Sequence, residues 1–207
     1  MTGILALNIC GIDEHTYELL YEISSAGRRL RADRYLRQED RIRCICAGLL
    51  LRYALGKRDF EIETGPYGKP AVKNEPGFHY NLSHSGHWVV LAYGDRPVGV
   101  DVERIQWDDR KEKLVRRYFT AGELDYVFGG GQQKTAERFF EIWTAKEAYL
   151  KYLGTGLQKP LDSFNVFSLE FPNRFSSCPE VNYSLSLWTE DGSYAQKTIT
   201  VDDLLNM

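Results

Sequence analysis

The stretch Val98-Gly99-Val100-Asp101-Val102-Glu103 alternates strictly between apolar and polar positions after its glycine. Successive side chains of a β-strand point to opposite faces, so Val98, Val100 and Val102 share one face. Asp101 and Glu103 then point together out of the other face, at the strand's end. A strand with a valine face must lay that face on a core. Two neighbouring carboxylates repel unless a cation or basic side chains neutralise them. Oxygen donors of this kind suit Mg²⁺, which takes one or two carboxylates beside substrate phosphate. A solvated strand end beside Arg104 produces the same pattern, so the pair alone does not decide between the two readings.

Working outward, Phe78–Ser83 and Trp88–Tyr93 read as strands, with turns at Ser85-Gly86 and Gly94-Asp95 closing a small meander with Val98–Glu103. Upstream lie a strand at Ile4–Ile9, a helix over 14–24 and one long helical stretch over 28–56, stopped by Gly56. Residues 64–77 are rich in Gly and Pro and read as loop, with a short extended piece at Ala71-Val72. Downstream, helices are expected over 109–118, 121–127 and 135–153. From Phe164 on the chain reads as strands with turns at Pro172-Asn173 and Asp191-Gly192, then a short amphipathic end at Asp202–Leu205. The fold class is α+β, and each half, 1–104 and 105–207, sets a helical block before a small meander. That order implies two similar halves without a residue-level repeat.

The 207 residues carry 26 Lys and Arg against 29 Asp and Glu, a net charge of −3, with 43% hydrophobic and 13% aromatic residues. So many aromatics exclude general disorder. No apolar run approaches the ~18 residues of a membrane span, and the charge balance excludes a nucleic-acid face. The N-terminus reads as a strand and not as a leader peptide. With four scattered cysteines, the expected compartment is the reducing cytoplasm. Cys44 and Cys46 diverge by about 200° on a helix, which makes them core filler and not a metal pair.

Three further clusters carry possible chemistry. Trp143, Glu147 and Lys151 lie at i, i+4 and i+8 on one helical stripe. A surface ion pair below a core tryptophan explains them; so does a half-buried Glu that wants a metal or a proton and a Lys that wants an anion. In Asn81-Leu82-Ser83-His84-Ser85-Gly86, an extended backbone sends Ser83 and His84 apart, which excludes a nucleophile–base pair. The serines, His84 and the turn amides suit phosphate oxygens, or form only a turn. Arg28, Arg29, Arg31, Arg34, Arg37, Arg41 and Arg43 crowd one segment; Arg28 with Arg31 near a helix start suits an anion or an acidic partner, and a solvated arginine-rich helix face explains the segment equally well. Gly129–Thr135 lacks the glycine of a phosphate loop before Lys134 and reads as a flexible connection.

Gly68-Lys69-Pro70, Asn81–Val89, Gly99–Glu103, Trp143–Lys151 and Gly154–Leu157, in this order, resemble the 4′-phosphopantetheinyl transferases of the surfactin-synthetase-activating, pseudo-dimeric type. The likeness runs from about residue 4 to 170. It implies two α+β halves related by a pseudo-two-fold, with the active site in the cleft between them. It implies transfer of the phosphopantetheine arm of coenzyme A to a serine of an acyl or peptidyl carrier protein, with release of 3′,5′-ADP. By motif, Asp101, Glu103 and Glu147 would hold Mg²⁺, and Glu147 and Lys151 would be catalytic. Arg28, Arg31, Lys69, Ser83, His84, Asp101 and Lys151 would bind coenzyme A. The implied partners are coenzyme A and the carrier, with no nucleic acid or membrane, and a monomer suffices. A non-catalytic coenzyme A-binding module is the alternative. The piece after Trp188 is shorter than the family's sheet, which implies a trimmed second half.

Overall fold

The valines of the opening stretch pack between two sheets. The computed structural model describes residues 1–169 and 173–207, with backbone alone for Gln132, Gln133 and Leu157. Its elements run β1 (Thr2–Asn8), α1 (Glu14–Ile23), α2 (Ala26–Ala32), α3 (Gln38–Leu55), β2 (Ile62–Thr64), β3 (Pro70–Val72), β4 (His79–Ser85), β5 (Trp88–Gly94) and β6 (Val98–Arg104). They continue with α4 (Asp109–Tyr118), α5 (Ala121–Phe128), α6 (Gln132–Leu153), β7 (Asn173–Ser177), β8 (Tyr183–Thr189), β9 (Tyr194–Ile199) and α7 (Val201–Leu205). The architecture is α+β. No described helix is long and apolar enough to cross a membrane.

One sheet has the order β4-β5-β1-β9 and the other β6-β8-β7. Strand alternation builds the layers. Ile4, Ala6, Val90 and Ala92 face Val98, Val100, Val102, Leu185 and Leu187 in a core between the sheets. On the opposite face of the first sheet, Leu5, Leu7, Val89 and Leu91 pack on Ile45, Leu49 and Leu50 of α3. Trp188 on the outer face of the second sheet joins Phe139, Ile142 and Ala145 of α6, and its indole N–H donates to the Ala145 carbonyl at 2.7 Å. Helices therefore cover both outer faces, and each apolar stripe finds a partner.

The two sheets repeat one plan. A first strand (β1 or β6) is followed by helices, then by a hairpin (β4-β5 or β7-β8) whose second strand pairs antiparallel with the first. The boundary drawn at residue 104 does not fall between the sheets. β6 belongs to the second sheet, and β9 returns to pair parallel with β1 in the first. The sheet expected at the C-terminus is thus short because its last strand is used elsewhere.

Two local expectations change. The helix expected over 28–56 is two: Ser25 caps α2, and the segment between is tied by Tyr21 Oη to Asp33 and by Arg41 Nε to the Tyr35 carbonyl. Glu39 and Asp40 then sit in the first turn of α3, where the helix dipole favours carboxylates. The supposed strand after Phe164 starts as a 3₁₀ turn at Val166–Ser168. Pro172 of the expected Pro172-Asn173 turn lies outside the described residues. Gly56 and Gly154 end α3 and α6 in the left-handed conformation, at φ 66° and 70°.

Candidate active site

β6 and α6 build the centre of the site because Gly99 lets them touch. A Cβ on Gly99 would lie 2.1 Å from the Ala148 carbonyl oxygen and 2.3 Å from the Tyr152 nitrogen. With that contact made, the carboxylate face of β6 lies under the Trp143-Glu147-Lys151 stripe of α6. Lys151 Nζ donates to Asp101 Oδ1 at 2.7 Å, to the Val100 carbonyl at 3.3 Å and to Ser83 Oγ at 3.1 Å. Asp101 is 4% exposed, and its Oδ2 is buried without a partner. Glu103 accepts from Ser85 Oγ at 2.7 Å.

A cavity of about 880 Å³ runs from this centre to α2 and α3. Its lining includes Arg28 and Arg31 from α2, His84 from β4, Asp101 and Glu103 from β6, and Glu147 and Lys151 from α6. Gly48 opens space for Arg28, whose side chain lies 2.7–2.9 Å from where a Cβ would stand. Burial raises the carboxyl pKa of Glu147 and of Glu103, and the charge of Asp101 raises both further; Lys151 opposes it. Loss of surrounding water, and then the Arg43 charge, hold the His84 imidazole below its ordinary value. A second cavity of about 590 Å³, lined by Arg43, Arg104, Lys111 and Phe140, meets the first at Glu103 and Trp143.

Most of the residues expected to act together are brought to this cavity: Arg28, Arg31, Ser83, His84, Asp101, Glu103, Glu147 and Lys151. Lys69 is not. Its ammonium donates to the Val98 and Tyr152 carbonyls at 3.1 and 3.0 Å, tying β6 to the end of α6, and burial lowers its pKa to about 8. Ser83 lines the cavity, but its hydroxyl proton is directed at Asp101 at 2.7 Å and not at an open phosphate position. Lys146, beside Glu147 in the same motif, is fully buried. It pairs with Glu123 at 2.8 Å and donates to the Leu161 and Phe164 carbonyls at 2.7 Å, so it locks α5 and α6 to the following segment. Sequence reasoning missed the part of Asn81 and Ser85, although their period of two with Ser83 was visible.

The donor set fits a hard divalent cation: three carboxylates, two of them held against their charged form, and one orphaned buried oxygen. Among the described residues, no three Asp, Glu, His or Cys side chains are already gathered at metal distance.

One cavity thus gathers a strand–helix carboxylate centre and an arginine pair. Residues 97–198 match the model of the 4′-phosphopantetheinyl transferase superfamily. The chain is 30% identical over 180 residues to the 4′-phosphopantetheinyl transferase Sfp of Bacillus subtilis, covering 81% of this chain and 80% of that protein. It is 34% identical over 181 residues to the 4′-phosphopantetheinyl transferase psf-1 of Bacillus pumilus, covering 81% and 77%. The chain belongs to the 4′-phosphopantetheinyl transferases. Within them it is an enzyme of the Sfp type.

Proposed function

We propose that this enzyme moves the 4′-phosphopantetheine arm of coenzyme A onto a serine of an acyl or peptidyl carrier protein and releases 3′,5′-ADP, with Mg²⁺ held by Asp101, Glu103 and Glu147. The observation that carries the reading is that one cavity is lined both by Arg28 and Arg31 and by Asp101, Glu103, Glu147 and Lys151. Coenzyme A has the matching groups, a nucleotide phosphate for the arginines and a diphosphate for a carboxylate-held cation and Lys151. The cavity's volume of about 880 Å³ lies within the ~300–1,000 Å³ usual for ligand sites.

The serine oxygen attacks the phosphorus that bears the arm. A new P–O bond forms to the carrier, the bond to the 3′,5′-ADP oxygen breaks, and the serine proton passes to Glu147. Burial and Asp101 raise the Glu147 carboxyl toward the range useful for a base near neutrality. Lys151 stabilises charge on the departing phosphate, and Arg28, Arg31 and neutral His84 hold the nucleotide phosphates. Ser83 acts by holding Asp101, and Lys69 by fixing β6 against α6. When bound, the metal ion neutralises the diphosphate oxygens.

In this reading the two sheets, with the helices that cover them, form a pseudo-dimer with the site in the cleft between them, and the division proposed between 1–104 and 105–207 moves back to precede β6. The shared strand plan supports that, as does a cavity drawing on α2, β4, β6 and α6. All those elements come from one chain, which supports action as a monomer. The four cysteines are free, in keeping with a cytoplasmic setting.

Intact-mass measurement tests the proposal. An apo carrier incubated with enzyme, coenzyme A and Mg²⁺ should gain the mass of one phosphopantetheine arm. Glu147→Gln should slow this by about 10²–10⁴-fold while still binding coenzyme A. No gain across acyl, aryl and peptidyl carriers would overturn the proposal, leaving coenzyme A binding without transfer.

A further inference from the structure

β4 and β6 are edge strands of different sheets whose backbones do not pair. Their seam is made by side chains instead. The outward amides of Val100, Val102 and Arg104 donate to Asn81 Oδ1, Ser83 Oγ and Ser85 Oγ at 2.9, 3.3 and 3.1 Å. Three residues spaced by two on one strand meet three spaced by two on the other, so the side chains form a ladder in register.

A serine hydroxyl has one proton and two lone pairs. In both serines a lone pair takes the β6 amide, which leaves the proton for the carboxylate on the intervening residue. Ser83 donates to Asp101 and Ser85 to Glu103, each at 2.7 Å. The two carboxylates are not held equally. Asp101 has a second tether in Lys151, at 2.7 Å. For Glu103, Ser85 is the one hydrogen-bond partner among the described residues.

We propose that Ser85 is a positioning residue: it aims the Glu103 carboxylate, and through the Arg104 amide it ties that aim to the joint between the two sheets. This rests on the reading of Asp101, Glu103 and Glu147 as the carboxylates that hold the metal. Removing the Ser85 hydroxyl releases Glu103 and leaves an amide on an exposed residue, where water replaces the lost acceptor. The effect therefore falls on the metal and not on the fold. Partners that orient a ligating group are typically worth about 10–100-fold in metal affinity.

Mn²⁺, whose free form gives an electron paramagnetic resonance signal, serves as the probe in place of Mg²⁺. Wild type, Ser85→Ala and Ser85→Thr are titrated with Mn²⁺ in the presence of coenzyme A, and coenzyme A binding without metal is measured by calorimetry. Ser85→Ala should weaken Mn²⁺ uptake by about 10-fold or more. Ser85→Thr, which keeps the hydroxyl, should restore most of it, and metal-free coenzyme A binding should be equal in all three. Unchanged Mn²⁺ uptake in Ser85→Ala would overturn the proposal. So would a parallel loss of metal-free coenzyme A binding, failure of Ser85→Thr to rescue, or a Ser85→Ala chain that does not fold, since each makes the seam merely structural. A wild-type enzyme that takes up no Mn²⁺ overturns the metal reading and this proposal with it; uptake by wild type and Ser85→Ala alike overturns this proposal alone.

Discussion

Adding one methyl group at Gly99 should cost the enzyme both stability and turnover, for a reason that can be measured on the backbone. The Cβ of Gly99→Ala would stand 2.1 Å from the Ala148 oxygen, 2.3 Å from the Tyr152 nitrogen and 2.7 Å from the Tyr152 Cα. All three are main-chain atoms of α6, so no side chain can rotate away. Restoring a contact of ~3.5 Å asks the helix to retreat by about 1.4 Å. Carried rigidly to Lys151, that motion takes its 2.7 Å bond with Asp101 out to about 4 Å, beyond hydrogen-bond range. Overpacking of this kind costs about 1–3 kcal/mol. At ~2–4 °C per kcal/mol for a chain of this size, the melting temperature should fall by roughly 2–12 °C. A misplacement of ~1 Å at the reacting groups can cost about 10²-fold in rate. Circular dichroism melting and the intact-mass assay read the two effects separately. Gly77→Ala, where a Cβ meets nothing within 4 Å, is the control and should change neither. A Gly99→Ala enzyme that melts and turns over like wild type would refute the idea that close approach of α6 to β6 assembles the site.

Two other substitutions probe buried cations with different surroundings. Lys146→Met leaves the Glu123 carboxylate buried without its partner and should destabilise by about 3–5 kcal/mol in urea unfolding; a loss within about 0.5 kcal/mol would show that the pair is not holding α5 to α6. Lys69 gives a pH test. Its pKa falls from 10.5 to about 8 on folding, so between those values the unfolded chain holds a proton that the folded chain lacks. Stability then rises with pH across that window relative to Lys69→Met, by at most about 3–4 kcal/mol. A gap between the two proteins that stays constant from pH 8 to pH 10.5 would show Lys69 to be solvated.

What was legible in the sequence was whatever depends on a residue's own strand or helix. The faces of β6 follow from period-two alternation, and the Trp143-Glu147-Lys151 stripe from helical spacing; both stand as expected. Asn81, Ser83 and Ser85 show the same period of two, yet their role was hidden, because it depends on which strand edge lies alongside. Lys69 was misplaced for a related reason. Its partners are two carbonyls, and a carbonyl, which every residue has, leaves no mark in sequence. The break at 33–37 was hidden by helical apolar spacing that continues across it. The capping by Ser25 and the acidic first turn Glu39-Asp40 were the overlooked signs. Nothing local says that β9 pairs with β1, about 190 residues away in the chain.

That distant pairing accounts for the carboxylates standing on one sheet and leucines on the other. Under the repeated plan, Gly3-Ile4-Leu5-Ala6-Leu7 of β1 stands where Gly99-Val100-Asp101-Val102-Glu103 of β6 stands in the other sheet. Ile4 and Ala6 share the inner core with Val100 and Val102, so the two segments have the same facing. Leu5 and Leu7 therefore take the helix-facing positions that Asp101 and Glu103 hold under α6. The difference lies in what flanks each strand. β1 is closed on both sides by backbone pairing, with β5 and with β9, and its outer face is dry. Carboxylates there would be buried without partners, at a cost of several kcal/mol each. β6 is an edge strand, flanked on its free side by the Asn81-Ser83-Ser85 ladder and open to the cavity. Hydroxyl donors and a nearby lysine are supplied there, and a ligand can enter. Covering that edge with a backbone-paired strand, as β9 covers β1, would take away the side-chain donors that hold Asp101 and Glu103. The carboxylates can persist only where the sheet is left incomplete.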